Sequence, residues 1–511
     1  MLTLLLTFVS ARESVVSEKP DFDVLIVGAG LAGISMGVHL QRELPGKSFA
    51  LFEMRERPGG TWDLFRYPGV RSDSDMQTFA FGFEPWTHPD SLAAGETIRD
   101  YMHGVIEKYG LDDAIRYETR VIAADWRADE AMWHVVTEQG GDRAHHTARW
   151  LYLGSGYYDY DAPHEADIPG IEDFGGKVVH PQFWPDELDH AGKRVVVIGS
   201  GATAITVVPA MAEDAAHVTM LQRTPAWLMN TPGRSWFAHL LHKVLPAQTA
   251  HRIMRERNIV LTDWLFRRSR AKPGKMREFL HKNLRKDLGE HFREEDYTPP
   301  YNPWEERMCF VRDGDLFKAV KDGRAAVRTG NIAAVEEDGI RLEDGTHLPA
   351  DIIVTATGLK LAVAGKIAIT LGGEEIAWGD RYFYKNTMFD GVPNLNLLAV
   401  YLNASATLRM DMVAAWICRV LAHMDDIGAK VATPVMPGDA RLEEAETLDF
   451  RSGYIQRGKH LLPKSATHYP WKLSHNYRED RKYMRESPIE DGVLSFSRAR
   501  ARAPVEPEPA E

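Results

Sequence analysis

The sequence predicts an α/β protein carrying two Rossmann-like dinucleotide-binding folds. Three observations predict it. A short apolar strand, a glycine-patterned turn and a helix occur in that order at Asp23–Leu44 and again at Arg194–Ala212. The strand after each helix ends in a charged residue at a matching distance, Glu53 twenty-five residues after Gly28 and Arg223 twenty-four after Gly199. At 511 residues the chain is too long for one core, and two or three domains are expected.

The first unit begins with Asp23–Val27, which runs into Gly28-Ala29-Gly30-Leu31-Ala32-Gly33 and the helical stretch Ile34–Leu44. The physical requirement for these residues is specific. Gly28 makes the tight turn, Gly30 lets backbone approach a pyrophosphate, and Gly33 lets helix pack on strand. The helix N-terminus offers N–H donors and partial positive charge to phosphates. The next strand, Ser48–Phe52, ends in Glu53, placed to accept hydrogen bonds from both hydroxyls of an unphosphorylated ribose. Soon afterwards Gly59-Gly60 allows a loop to pass close to a flavin ring or its ribityl chain.

The second unit repeats the plan with opposite charge. Arg194–Ile198 ends in Gly199-Ser200-Gly201-Ala202-Thr203-Ala204, and the following strand, Val218–Gln222, ends in Arg223-Thr224. An acid at this place suits a free ribose diol, whereas arginine suits a 2′-phosphate. The direct reading is FAD at the first turn and NADPH at the second. Two further apolar segments, Leu151–Leu153 before Gly154-Ser155-Gly156 and Ile352–Val354 before Thr355-Ala356-Thr357-Gly358, also end in small residues.

Composition narrows the remaining choices. A net charge of −12 argues against nucleic acid as the main partner. Cys309 and Cys418 stand far apart, which excludes a disulfide scaffold, a cysteine zinc site and a dithiol redox centre, and suits a reducing, cytoplasmic compartment. The apolar run Leu2–Val9 leads into Val9-Ser10-Ala11, similar to a small-residue cleavage site. It has no preceding Lys or Arg, however, and falls far short of the ~20 residues of a membrane span, so residues 1–20 are expected to be a disordered extension or an overlong start rather than a signal peptide. His251–Arg293 holds thirteen Lys/Arg and five Asp/Glu, with Trp264-Leu265-Phe266 beside Arg267-Arg268. A solvated helical face is the expectation there, with contact to a membrane surface as the alternative.

Two stretches make a family resemblance specific. Gly59-Gly60-Thr61-Trp62, Arg66-Tyr67-Pro68-Gly69 and Asp73 resemble the FAD-binding region of class B flavin monooxygenases, and the run GGTWDLFRYPGVRSDSDM most resembles the ethionamide-activating Baeyer–Villiger type. Phe174, Gly176, His180, Trp184 and Pro185 fill every position of F-x-G-x-x-x-H-x-x-x-W-[PD], the Baeyer–Villiger monooxygenase fingerprint. The resemblance, over roughly residues 20–497, implies that the NADPH domain is inserted into the FAD domain. It places the first part of the FAD domain at 21–165, the NADPH domain at 166–350 with a helical insert at about 233–300, and the second part of the FAD domain at 351–497. A disordered tail follows at 498–511.

Further roles follow from the resemblance. Glu53 and Val121 match positions that touch the adenosine part of FAD. Gly60, Thr61, Trp62, Asp63, Leu64, Arg71, Ser72 and Asp73 match positions around the rest of the flavin. Met76, Phe79, Phe81 and Trp86 either line the site or belong to plain core. Arg307 aligns with the arginine that stabilises the flavin C4a-peroxide, and Asp73 with the acid that positions it. A guanidinium keeps its charge and presents several fixed donors, which suits holding an anionic peroxide as it attacks a ketone and then the oxyanion that follows. Glu306 departs from the pattern, standing where many relatives carry a lysine for the 2′-phosphate, which leaves Arg223 as the main phosphate ligand. His180 is expected to order the segment between domains rather than to act as acid or base. The activity implied is NADPH- and dioxygen-dependent conversion of ketones to esters or lactones, with sulfides or thioamides as further substrates. The rival expectations are an S- or N-oxygenating flavin monooxygenase and a non-oxygenating flavoprotein.

Overall fold

The strands FDVLIV, RVVVI and IIVT form because they are apolar on both faces, as suits parallel sheets covered by helices on each side. In the computed structural model, which describes residues 19–306, 308–401, 403–437, 442–445 and 457–498, they sit at the centres of two separate sheets. Most of the expected N-terminal extension, nearly all of the tail, and Arg307 lie outside the described residues.

In the first sheet Phe22–Val27 pairs in parallel with Phe49–Phe52 on one side and with Asp142–Leu153 on the other. Ile115–Arg116 extends the parallel part beyond Phe49–Phe52, and Leu395–Leu397 pairs along the end of Asp142–Leu153. Asp142–Leu153 has two halves with different partners. Its beginning runs antiparallel to Met132–Gln139, continuing a meander from Arg120–Arg127, while Ala148–Leu153 lies parallel to Phe22–Val27. The strand Leu395–Leu397 thus reaches this sheet from far down the chain. Helices Leu31–Glu43 and Ala406–Ile427 pack together, and both bury apolar faces in the core that also holds Met76, Phe81 and Trp86.

The second sheet is entirely parallel, in the order Ala325–Thr329, His217–Gln222, Arg194–Ile198, Ile352–Thr355, Lys177–Val179. Ile352–Thr355 is an inner strand here, so this sheet runs five residues past the expected limit of 350. The physical reason is its double pairing, with Arg194–Ile198 and with Lys177–Val179.

Both glycine turns are held by the same backbone approach. At Gly28 (φ +94°) a β-carbon would lie 2.8 Å from the Gly154 carbonyl oxygen, and at Gly199 (φ +144°) 2.3 Å from that of Ala356. The Gly28 N–H donates to Phe52 O and the Gly199 N–H to Leu221 O, each at 2.8 Å. Gly33 meets the turn so closely that a β-carbon would stand 1.9 Å from Gly28 O. The second turn carries Ala204, with its β-carbon, at that position, and Ala204 packs in the second core.

The helical insert consists of Trp236–Val244, Ala247–Ala271 and Pro273–Leu288. Ser235 starts the first helix by accepting the Ala238 N–H at 3.2 Å, and Pro273, which lacks an N–H, starts the third. The long middle helix is pinned to the first unit. Arg255 donates to the carbonyls of Thr78 and Ala80, and His251 shares a 2.9 Å hydrogen bond with Gln77. Arg71 pairs with Asp315, and Asp90 holds both Arg234 (3.1 Å) and Arg312 (2.9 Å), so charged pairs also tie the two units.

Replacing Gly28 by Ala is expected to cost roughly 1–3 kcal/mol from the left-handed backbone alone, with the contact to Gly154 adding to it. Denaturant unfolding of the variant checks this, and an unchanged midpoint would remove the turn as a determinant of the fold.

Candidate active site

Parallel sheets place their ligand sites at the carboxyl ends of the strands. Here the ends of Phe22–Val27, Phe49–Phe52 and Asp142–Leu153 open onto a cavity of about 350 Å³. Gly28, Gly30 and Ala32 form one wall, with Glu53 and Val121 beyond them. Gly60, packed against Gly30, adds to the lining with Thr61, Trp62, Arg71, Ser72 and Asp73. From the second unit Ala202 and Thr203, at the start of the helix Ala202–Met211, complete the enclosure. The first glycine turn and the helix that follows the second therefore contribute to one cavity.

Glu53 is buried, only 4% exposed. Its two carboxylate oxygens accept the N–H groups of Ala29 (2.7 Å) and Arg55 (2.9 Å), which ties the strand end to the glycine turn. Burial raises its pKa, and these two hydrogen bonds only partly oppose the shift. Tyr160, whose hydroxyl lies 3.1 Å from Thr61 Oγ1, is pushed up to about 12 by burial and stays protonated.

Most of the remaining candidates lie outside this lining. Asp63 does not line the cavity. Its buried carboxylate holds Arg55 at 2.6 Å, Arg66 and Arg57, which folds the loop that carries Gly59 and Gly60. Leu64 is the last residue of the short helix Thr61–Leu64 and also lies outside the lining, as does Gly33, which packs against the first turn. Gly199, Ser200, Gly201 and Ala204 build the second turn without lining this cavity. Arg223 is exposed at the end of His217–Gln222, with Thr224 beside it, and makes no ion pair or side-chain hydrogen bond among the described residues. Phe79 lines the cavity, whereas Met76, Phe81 and Trp86 are core.

Several residues at or near the cavity were not among the expected cofactor positions. Tyr67 faces Thr203 and Thr206 of the second unit, and the neighbouring Gly69 comes so near that helix that a β-carbon would stand 2.4 Å from Thr206 O. Ser155 follows the carbonyl that faces Gly28, and Thr357 follows the one that faces Gly199. The hydroxyls of both are buried and have no hydrogen-bond partner among the described residues. An unpaired buried hydroxyl at the equivalent place in each unit fits a polar ligand at each turn. The small-residue pattern Gly154-Ser155-Gly156 marked the place, but only the contact identifies the atom.

The F-x-G-x-x-x-H-x-x-x-W-P stretch is a docking device. Phe174 is buried beside Val196 and Ile353, and Gly176 fits where a β-carbon would meet both Asp351 O and the Phe174 ring. These contacts seat Lys177–Val179 against Ile352–Thr355. His180 Nδ1 accepts the Gln182 N–H at 3.2 Å, and Gln182 donates to Asp159 O at 2.6 Å, in the first crossing segment between the units. That segment in turn bonds the second one, Asp159 N to Lys360 O at 2.8 Å. Burial lowers the His180 pKa, with the Gly358 backbone partly opposing, so it stays neutral at neutral pH. Neutral, it takes part in this chain of contacts between the units.

A second cavity of about 270 Å³ adjoins the first, sharing Asp73, Ser74, Phe310, Ala404 and Ser405 with it. Ile259, Leu265, Trp304, Met308 and Leu408 give it a largely apolar wall.

The flavin-binding monooxygenase-like family model matches residues 70–365, more than half of the chain, and an NAD(P)-binding Rossmann-like domain model matches residues 26–89. This chain belongs to the flavin-binding monooxygenase-like family. Relatives in the family include MymA of Mycobacterium tuberculosis, 44% identical over 484 residues that cover 94% of this chain and 98% of that protein. The FAD-containing monooxygenase EthA of Mycolicibacterium smegmatis is 43% identical, with coverage of 94% and 98%. Among solved structures, ε-caprolactone-bound cyclohexanone monooxygenase shares the fold with a TM-score of 0.74 at 20% identity, covering 93% of this chain and 99% of that one. Oxidized steroid monooxygenase bound to NADP gives a TM-score of 0.72 at 22% identity, with the same coverage of both chains.

Because burial raises the Glu53 pKa, the folded ligand-free protein holds that proton to higher pH than the unfolded chain does. The Glu53 contribution to stability is therefore greatest in acid and falls as pH rises through the interval above the ordinary glutamate value. Thermal unfolding of ligand-free wild type and Glu53→Gln across pH 4–8 (approximate limits) checks this. The variant is expected to lose that decline, and parallel profiles would refute it.

Proposed function

We propose that this protein is an FAD-containing, NADPH-dependent monooxygenase that inserts one atom of dioxygen beside a ketone carbonyl, giving an ester or lactone. The observation that carries the proposal is a cavity lined both by the first glycine turn and by the helix that starts directly after the second, since the two cofactors must meet for a hydride to pass between them. FAD bound there supplies acceptance of the hydride and activation of dioxygen.

The chain's own residues position and protect this chemistry. Gly28 and Gly30 admit the FAD pyrophosphate to the N-terminus of Leu31–Glu43, and Glu53 accepts from the ribose hydroxyls. Gly201 plays the same part for NADPH at the helix Ala202–Met211, and the exposed Arg223 is free to engage the 2′-phosphate. Asp73 stands where the two cavities join, which suits orienting a cation toward both. The assigned cation is Arg307, outside the described residues. Its neighbours Met308 and Phe310 line the apolar cavity. A guanidinium in this role holds the oxyanion that develops on the substrate carbonyl. The apolar second cavity takes the ketone.

The deciding experiment is turnover of a ketone and sulfide panel with labelled dioxygen. One labelled atom per ester or lactone is expected, whereas sulfoxide without ester from any ketone would replace this reading by S-oxygenation. NADPH oxidation with no label in any product would replace it by a non-oxygenating flavoprotein. Arg307→Ala is expected to keep flavin reduction by NADPH and to lose ester formation by about 10²-fold or more. Arg223→Ala is expected to raise KM for NADPH roughly 10–100-fold and to leave KM for NADH unchanged. Stopped-flow reduction and steady-state kinetics with both nucleotides read these outcomes.

A further inference from the structure

Single exposed apolar side chains are ordinary, but rows of them are not. The helix Trp236–Val244 exposes Trp236, Leu240 and Val244, spaced four apart on one face, and Trp236 is 77% exposed. The neighbouring helix Ala247–Ala271 exposes Ile253, Val260, Leu261 and Trp264, whose offsets of seven, eight and eleven residues again share a face. That row is about 16 Å long, from 1.5 Å per residue over eleven residues. Arg257 lies over the Phe237 ring, 5.7 Å from its centroid, and so brings the two helices side by side. The opposite face of the long helix is fixed to the protein through His251 and Arg255.

The charge around these rows is as unusual as the exposure. His251–Arg293 carries a local excess of eight positive charges in a chain whose net charge is −12. Arg268, Lys272 and Lys275 are exposed at and just beyond the end of the long helix. No helix among the described residues is long and apolar enough to cross a membrane. We infer that this helical insert docks flat on an anionic lipid bilayer, with Trp236 and Trp264 as the anchors at the headgroup level. Tryptophan beside apolar rows suits the bilayer interface, and the basic flank complements anionic headgroups. Leu261 belongs to both the exposed row and the wall of the second cavity, and Thr262 and Leu265 line that cavity from the same helix. Docking therefore brings an apolar chamber against the phase in which apolar compounds dissolve. The inference does not rest on the reaction proposed above.

Cosedimentation of the full-length holoenzyme with vesicles tests it, using equimolar phosphatidylcholine and phosphatidylglycerol against phosphatidylcholine alone. Binding is expected on the mixed vesicles, weakened by about 0.5 M salt and weak on the neutral ones. Trp236→Ser with Trp264→Ser in one protein is expected to reduce the partition coefficient about tenfold or more while keeping the wild-type thermal midpoint. A separate Arg268→Glu, Lys272→Glu double variant is expected to lose the preference for anionic vesicles. Absence of wild-type binding, or equal binding by wild type and both variants, overturns the inference. So does light scattering that finds a wild-type dimer which the tryptophan variant dissociates, since the rows would then cover a second copy.

Discussion

A carbonyl oxygen pressed against a glycine governs both halves of this protein. Gly154 O approaches Gly28, and Ala356 O approaches Gly199, closer than any β-carbon allows. Each approach brings the end of one inner strand against the turn after another, which draws the strand ends into the wall of the site. The following residues, Ser155 and Thr357, are then held with buried hydroxyls that nothing among the described residues satisfies. Fold and site are coupled because the same few backbone atoms shape both.

The two nucleotide sites differ chiefly in how they treat charge. Glu53 is buried and already accepts two backbone N–H groups, so it is an oriented acceptor in a place that penalises its charge. Arg223 is exposed and uncommitted. A buried acid costs stability until a donor-rich ligand arrives, whereas an exposed guanidinium waits at little cost and keeps its charge. The first position thus holds a fixed, buried acceptor, and the second a side chain reaching out from a strand end.

The parts of this arrangement that depend on local backbone geometry were legible in the sequence. The glycine turns, the flanking strands and the acid or arginine at each second strand end all follow from steric rules that act within thirty residues. The parts that depend on distant contacts were not. Asp63 sits among the expected flavin positions, yet Arg55, Arg57 and Arg66 claim its carboxylate, a competition that a match by position does not weigh. Tyr160 meets Thr61 from ninety-nine residues away, and Tyr67 meets a helix of the other unit. The limit of 350 missed the inner strand Ile352–Thr355 because an apolar strand ending in small residues reads the same in either sheet. The basic insert was legible in composition as a solvated face, and only side-chain exposure showed its apolar rows.

The adjacency of the two crossing segments has a consequence for how the chain is made. The second sheet draws all its strands from the continuous stretch between Lys177 and Thr355, while the first waits for Leu395–Leu397 to join Asp142–Leu153. During synthesis from the N-terminus, the inserted unit has every strand it needs before its host does. Its entry and exit points lie together, Asp159 N on Lys360 O, so finishing early does not strain the unfinished host. The nascent chain thus holds a completed guest inside an open host, and the last strand and the helix Ala406–Ile427 close the host around it.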